Sequence, residues 1–380
     1  MVYLTTRLNK QTHQMSLEEL MFGTSTPVPT GFNVQGTSTR TVCVNSIPEK
    51  YLEKLNRQLL IRTLYDFNRK YKDLREKPRK ELYREFHIPK KSGGLRKIDA
   101  PEPELMDALR ELKDIFEKEF GVLYHTSAFA YVKGRCAVDA VKKHQANESR
   151  WFGKFDLSNF FGSTTLEFVM KMFSQVFPFS EIVKLEMGRE ALETALELAF
   201  LDGGLPQGTP ISPLITNVMM IPVDYKLTKT LSDYEKQKYI YTRYADDFII
   251  SSKYDFDFKK IESLIKSTLA EFDAPFTIKS QKTRYGSANG SNWNLGVMLN
   301  KDGKITVGHK KKRQFKAMVT SYVLDRKNGM EWERTDVQVL DGYRNYYKSV
   351  EGNCIDDIVK KIGDKFGVDV FALLKADLRK

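Results

Sequence analysis

The sequence predicts an α+β fold with an antiparallel sheet. Segments with strand alternation and segments with helical periodicity are mixed along the chain but do not alternate regularly, as a doubly wound parallel sheet would require. The stretch "YTRYADDFIISS", Tyr241 to Ser252, places strand-forming residues on both sides of a two-acid tip and reads as a hairpin. A second hairpin is marked by Asp302-Gly303 within "NWNLGVMLNKDGKITVG".

The elements follow in order. Residues 1–45 form a polar extension rich in Thr, Ser, Gly and Pro. Residues 48–86 read as helical, with Leu59, Leu60, Leu64, Phe67 and Tyr71 among charges. In "IPKKSGGLRKIDAPEP" Gly93 and Gly94 make a turn between two short strands. An amphipathic helix over 104–120 follows, then a helix from Ala137. "WFGKFDLSNFF" is a strand ending at an acid, and "TTLEFVMKMFSQVF" is a helix. "GGLPQGTPISP" is a loop leading into another helix. After the Asp-Asp hairpin come a helix over about 258–272, "FTIKSQKTRYG" as a strand into a loop, and a basic, mostly helical tail from Lys310. Tyr343, Tyr346 and Tyr347 stand at helical spacing and read as core.

The 380 residues carry a net charge of +12, which points to a polyanionic partner, nucleic acid first. Hydrophobic residues make up 41%, enough for a core. Cys43, Cys136 and Cys354 are far apart, with no CxxC pair, which argues against a disulfide framework or a zinc site and fits a reducing cytoplasm. No apolar run approaches membrane-spanning length, and the N-terminus has no apolar signal core.

Asp246 and Asp247 repel each other, and a divalent cation would relieve that repulsion; hard oxygen ligands suit Mg²⁺, with Mn²⁺ as the alternative. Asp is also common in plain turns. Asp156, at the end of an apolar strand and beside Phe155, Phe160 and Phe161, is poorly placed for solubility alone. If its strand lies beside the hairpin, three carboxylates converge. Two metals about 4 Å apart could then serve nucleotidyl transfer.

The motifs "IPKKSGGLRKI", "AYVKGRCAVDAV", "FDLSNFF", "LPQGTPISP", "YADD", "SQKT" and "NLGVML" together resemble, in order, the bacterial reverse transcriptases: retron, group II intron and defence-associated enzymes. The resemblance covers about residues 88–300, with a family-like thumb after them. It implies a right-hand polymerase with fingers over 46–150, palm over 151–300 and a basic helical thumb over 301–380. It implies an RNA-directed DNA polymerase in which Asp156, Asp246 and Asp247 are catalytic and bind metal, with the Leu157 carbonyl as a further ligand. Phe161 matches the gate against a 2′-hydroxyl. Lys90, Lys91, Arg96, Gln207, Gly208 and Lys282 match nucleotide-binding positions. Trp293, Leu295 and Gly296 match the primer grip. Lys310, Lys311, Lys312, Arg313 and Lys316 are the template–primer candidates.

Implied partners are an RNA template, a DNA or RNA primer and dNTPs, with a dedicated non-coding RNA in some branches and no membrane. "WNLGVML" stands where typical retron enzymes carry "VTG". "QGTPISP" is unaltered, unlike in diversity-generating enzymes. No Cys/His nuclease cluster or RNase H is evident. A stand-alone polymerase is expected, in a bacterial or phage-borne element such as an anti-phage defence system. The alternatives are an untemplated or protein- or RNA-primed DNA polymerase, a group II-like or retron enzyme making cDNA from a dedicated RNA, and a non-catalytic nucleic-acid-binding protein.

Overall fold

The structure, a computed structural model, describes residues 56–89, 93–234, 237–288 and 293–379, with the side chains of Trp293 and Asn294 excepted. The polar extension over 1–45 and the fingers candidates Lys90 and Lys91 lie outside the described residues.

The principal elements in chain order are α1 (Arg57–Lys70), β1 (Tyr83–Pro89), β2 (Leu95–Pro101), α2 (Pro103–Asp114), α3 (Ala137–Ala146), β3 (Trp151–Asp156), α4 (Leu166–Phe173), α5 (Glu186–Glu197) and α6 (Ser212–Met219). They continue with β4 (Tyr239–Tyr244), β5 (Asp247–Ser252), α7 (Phe258–Glu271), β6 (Arg284–Ser287), β7 (Trp293–Asn294), β8 (Val297–Leu299) and β9 (Ile305–Thr306). The last four are α8 (His309–Lys327), α9 (Arg334–Glu351), α10 (Cys354–Phe366) and α11 (Val370–Arg379). Every ladder between the named strands is antiparallel, as an α+β fold requires.

The chain forms two compact units, each discontinuous in sequence. One takes the described residues up to Thr126, with 159–225 and 272–276; the other takes 127–158, 226–271 and the chain from Thr277 onward. These units cut across the four consecutive segments expected from the sequence.

In the first unit, α1 is capped by Asn56, whose side chain accepts from the Leu59 N–H at 3.0 Å. Its apolar stripe Leu60, Ile61, Leu64 and Phe67 is buried. The buried Asn68 amide donates to the Ala191 carbonyl of α5 at 2.8 Å, so a polar group inside this contact is satisfied. The helix expected to reach residue 86 stops earlier. Lys77 is extended before Pro78, as the proline ring demands, and Tyr83 begins β1. β1 and β2 pair as expected around the Gly93-Gly94 turn, where both glycines have positive φ.

The second unit holds a four-stranded sheet in the order β4-β5-β3-β6. One face is covered by α7, whose Phe258 ring stacks on Phe155 at 4.8 Å and lies over Gly153. On the other, buried His144 of α3 bonds Ser251 at 2.6 Å and Thr242 at 2.8 Å, and burial pushes its pKa down to about 3, so it is neutral. With both faces covered, β5 is buried from Phe248 to Ser252, its two serines included. The segment expected as a strand into a loop is ordered otherwise: a single bridge at Ile278, a 3₁₀ turn over Ser280–Lys282, then β6.

The C-terminal helices share a core through Phe315, Tyr322, Leu340, Val359 and Leu374. Of the three tyrosines read as core, only Tyr347 is buried; Tyr343 is 43% and Tyr346 42% exposed. The buried stripe of α9 runs Val337, Leu340, Tyr347, and at 100° per residue the other two fall beside it.

Candidate active site

The acids are set by strand register. In β3 successive side chains alternate faces, so Phe152, Lys154 and Asp156 share one. β3 lies between β5 and β6, and Asp156 is paired with Asp247, the first residue of β5. Just beyond, the Leu157 N–H donates to the Asp246 carbonyl at 3.0 Å. All three acids therefore stand at adjacent ends of two neighbouring strands, as the sequence reading required.

The turn between β4 and β5 is tight. Ala245 has φ 57°, a conformation that favours glycine and costs a β-carbon residue about 1 kcal/mol. Arg243, 1% exposed, donates from its guanidinium to the Ala245 carbonyl at 3.3 Å. Its backbone also pairs with the Ser127–Phe129 segment. The strained turn is thus held from below and from the side.

Burial and like charge shape the electrostatics. Asp156 is 4% exposed. Asp246 is pushed up to about 6, first by burial and then by Asp247. Asp247 is also raised by burial, against the opposing pull of Lys154. Lys154 Nζ lies 2.7 Å from Asp247 Oδ2. Lys282 Nζ lies 2.9 and 3.1 Å from the two oxygens of Asp156, and that bond holds its ammonium above the usual lysine range. Asp247 Oδ1 is buried and has no hydrogen-bond partner.

Among the described residues no three His, Cys, Asp or Glu side chains are already gathered around a common point to hold a metal. Two of the three carboxylates are instead engaged by lysines. The donor set still fits a hard divalent cation: carboxylate oxygens on rigid strand ends, one of them a buried oxygen lacking any partner. The Leu157 carbonyl is not used by either backbone bond of the Leu157–Ile278 bridge, Ser158 N–H to Thr277 and Lys279 N–H to Asp156.

Two further candidate groups belong to the first unit. Phe160 and Phe161 divide their roles. Phe160 is buried against Phe276 at 5.0 Å, while Phe161 is half-buried and meets Phe160 edge-on. The Phe161 carbonyl accepts from the Leu205 N–H at 3.0 Å, tying it to the start of "LPQGTP". Backbone approach here is close: a β-carbon on Gly204 would lie 2.3 Å from the Gly162 carbonyl. Gln207 is half-buried, and its carbonyl accepts from the Asp99 N–H of β2 at 2.9 Å. Gly208, at φ +125°, would put a β-carbon 2.9 Å from both the Asp99 carbonyl and Ile98 Cγ2. The glycine is needed for contact with β2. Ile98 shares its strand face with exposed Arg96, so the "LPQGTP" loop lies along the face that carries Arg96.

Of the primer-grip candidates, Trp293 opens β7 opposite Met298. Leu295 and Gly296 form the tip of the β7–β8 hairpin, both at positive φ. Leu295 packs against the core cluster that includes Val297 and Phe152. The basic run of α8 splits. Lys311 donates to the Gly296 carbonyl, and Lys312 pairs at 2.8 Å with the Glu351 carboxylate, which is 9% exposed. Lys310, Arg313 and Lys316 are exposed.

Sequence reading missed Lys154 and Arg243. Lys154 was findable, since two residues before Asp156 on a strand means the same face. Arg243 gave no signal, because a charged residue in a strand ordinarily faces solvent.

Residues 88–318, more than half of the chain, match the family described as reverse transcriptase (RNA-dependent DNA polymerase). The chain is similar to the retron Ec73 reverse transcriptase of Escherichia coli, 29% identical over 274 residues, covering 70% of this chain and 83% of that one. It is similar also to the retron Ec83 reverse transcriptase of Escherichia coli, 28% identical over 291 residues, covering 74% of this chain and 87% of that one. Among solved structures, the apo telomerase of Candida tropicalis aligns with a TM-score of 0.47 and 12% identity over 78% of this chain and 59% of that one. These relatives are retron enzymes although "WNLGVML" departs from the "VTG" of typical ones. The family match, with the motifs in their order, carries the assignment: this chain belongs to the reverse transcriptase family and is an RNA-directed DNA polymerase.

Proposed function

We propose that Asp156, Asp246 and Asp247 are the catalytic acids of this polymerase and hold two Mg²⁺ ions, with Mn²⁺ as a substitute. The register that sets Asp156 opposite Asp247, with Asp246 bonded to the next backbone amide, carries the reading. When bound, the metals supply charge neutralisation for the primer 3′-hydroxyl and the leaving pyrophosphate. The chain's own part is to fix carboxylate oxygens on rigid strand ends before substrate arrives.

Phe161 serves as the gate against ribonucleotides, and its carbonyl bond to Leu205 supports that role by fixing its backbone. Gln207, Gly208 and Arg96 serve the incoming nucleotide. Lys90 and Lys91 are assigned with them from the sequence alone. Lys282 is charged in its bond to Asp156 and must leave that carboxylate before donating a proton to pyrophosphate. Leu295, Gly296 and Trp293 form the primer grip. Lys310, Arg313 and Lys316 follow the template–primer backbone, and Lys311 and Lys312 act in the fold that presents them. The template is a dedicated RNA, as the similarity to retron enzymes suggests, and the setting is a bacterial or phage-borne element with a defence role.

Primer extension tests the assignment. Purified protein with an RNA template, a DNA primer, Mg²⁺ and dNTPs is expected to make template-length DNA, and Asp246→Ala is expected to abolish it while keeping nucleic-acid binding. Synthesis retained by Asp246→Ala removes the acid assignment. Product of unrelated length shows untemplated synthesis.

A further inference from the structure

We infer that Lys154 is a resident counter-cation of the acid site, and that metal binding is an exchange in which Lys154 gives up Asp247. The inference rests on the metal reading proposed above and adds to it a residue that tunes the affinity.

The argument begins with charge. Three carboxylates on adjacent strand ends, with Asp156 buried and Asp247 largely so, would be costly to fold without compensation. Lys154 supplies part of it from within the same strand. Its place two residues before Asp156 puts it on the acid-bearing face, and the diagonal reach across the β3–β5 ladder brings Nζ to 2.7 Å from Asp247 Oδ2. Lys154 is 27% and Asp247 20% exposed, so solvent screens this pair only in part. A lysine at an exposed strand position would be free to hold its ammonium in water. Here the side chain is drawn onto a carboxylate.

The second observation is the asymmetry of Asp247. Oδ2 has the ammonium, while Oδ1 is buried with no hydrogen-bond partner. Lys154 bonds Oδ2 alone, unlike Lys282, which reaches both oxygens of Asp156, so the Asp247 carboxylate is only half compensated. A divalent cation approached by Oδ1 offers the missing contact. It would then share that carboxylate with a like-charged ammonium in a partly buried place. Lys154 opposes binding in that arrangement, and its flexible stem lets the head move away.

Lys282 on Asp156 is a related pair, but it is 52% exposed and lies in a short turn, so it is readily withdrawn. Lys154 sits in the central strand and is the stronger competitor.

The test is Mn²⁺ binding to the purified full-length protein without nucleic acid, followed by the paramagnetic resonance of free Mn²⁺. Wild type is compared with Lys154→Met, Lys154→Gln, Lys154→Arg and Asp247→Asn. Removing the ammonium is expected to tighten Mn²⁺ binding by about tenfold or more, in both neutral variants. Lys154→Arg is expected to stay within about twofold of wild type, since it keeps the charge. Melting in chelator should fall for the neutral variants, and Mn²⁺ should raise their melting temperature more than that of wild type. If Asp247→Asn weakens Mn²⁺ binding but neither neutral variant tightens it, the exchange is refuted while the metal reading stands. If Asp247→Asn leaves Mn²⁺ binding unchanged, the metal reading fails and the exchange with it.

Discussion

Gly208→Ala isolates the contact that seats the "LPQGTP" loop on the β1–β2 hairpin. Gly208 has φ +125°, where an L side chain costs about 1–3 kcal/mol. The new β-carbon would also lie 2.9 Å from the Asp99 carbonyl and from Ile98 Cγ2. The carbonyl is backbone within a paired strand and cannot turn aside, so the loop must lift. Lifting strains the Asp99 N–H bond to the Gln207 carbonyl, whose loss costs about 1 kcal/mol. The sum is about 2–4 kcal/mol. Gly203→Ala is the control. It shares positive φ, at +81°, but has no atom within 4 Å of its added carbon, so it should cost only about 1 kcal/mol. Urea denaturation of both variants measures the difference, and dNTP titration in primer extension reads the displacement of Gln207 as a raised KM. A Gly208→Ala variant no less stable than Gly203→Ala would refute the close-approach argument, whatever its activity.

Three further outcomes follow from the geometry. Asp246 has a folded-state pKa of about 6, above its ordinary 3.8, so ionising it costs stability as pH rises from about 4 to about 6. Asp246→Asn in chelator should therefore melt higher than wild type at pH 8, by of the order of 2 kcal/mol, with the gain gone at pH 4; equal melting at both pH values would contradict the shift. Phe161→Ala should raise ribonucleotide incorporation relative to dNTP in single-nucleotide extension, and unchanged sugar selectivity would remove Phe161 as the gate. Replacing Lys310, Arg313 and Lys316 by Gln should lower the slope of log affinity against log salt by roughly 2–3. Lys312→Gln should instead destabilise the protein with little change in that slope, because its ammonium serves the largely enclosed Glu351 carboxylate.

The acid site was legible because each part obeyed a local rule. Strand alternation around Asp156 and strand-forming runs around Asp246 and Asp247 fixed both element type and which residues end them. What periodicity could not supply was register across 90 residues of chain, and therefore the Lys154–Asp247 pair. The basic run of α8 shows the complementary limit. Five basic residues within one short run look alike in sequence, yet Lys312 answers a carboxylate 39 residues away and Lys311 a carbonyl 15 residues back. Long-range partners, not local composition, separate the fold-bearing charges from the exposed ones. The helical reading to residue 86 fails at Pro78, a local helix breaker visible in the sequence.

The departures from ordinary stability rules are concentrated at one place. Ala245 holds a glycine-favouring φ, Asp246 is raised to about 6 by burial and its neighbours, and Asp247 carries an unpartnered buried oxygen. Each feature alone has a bland remedy: a glycine, an asparagine, a hydroxyl-bearing neighbour. Position 245 is not glycine, position 246 is not asparagine, Asp247 Oδ1 takes no hydrogen bond, and buried Arg243 braces the turn in its strained form. A site selected for stability would have relaxed. One that presents bare carboxylate oxygens to metal, as proposed above, cannot, since every hydrogen bond added to those oxygens would take a position from the metal. Lysines are the compensation compatible with that need, because an ammonium neutralises a carboxylate and can still be exchanged.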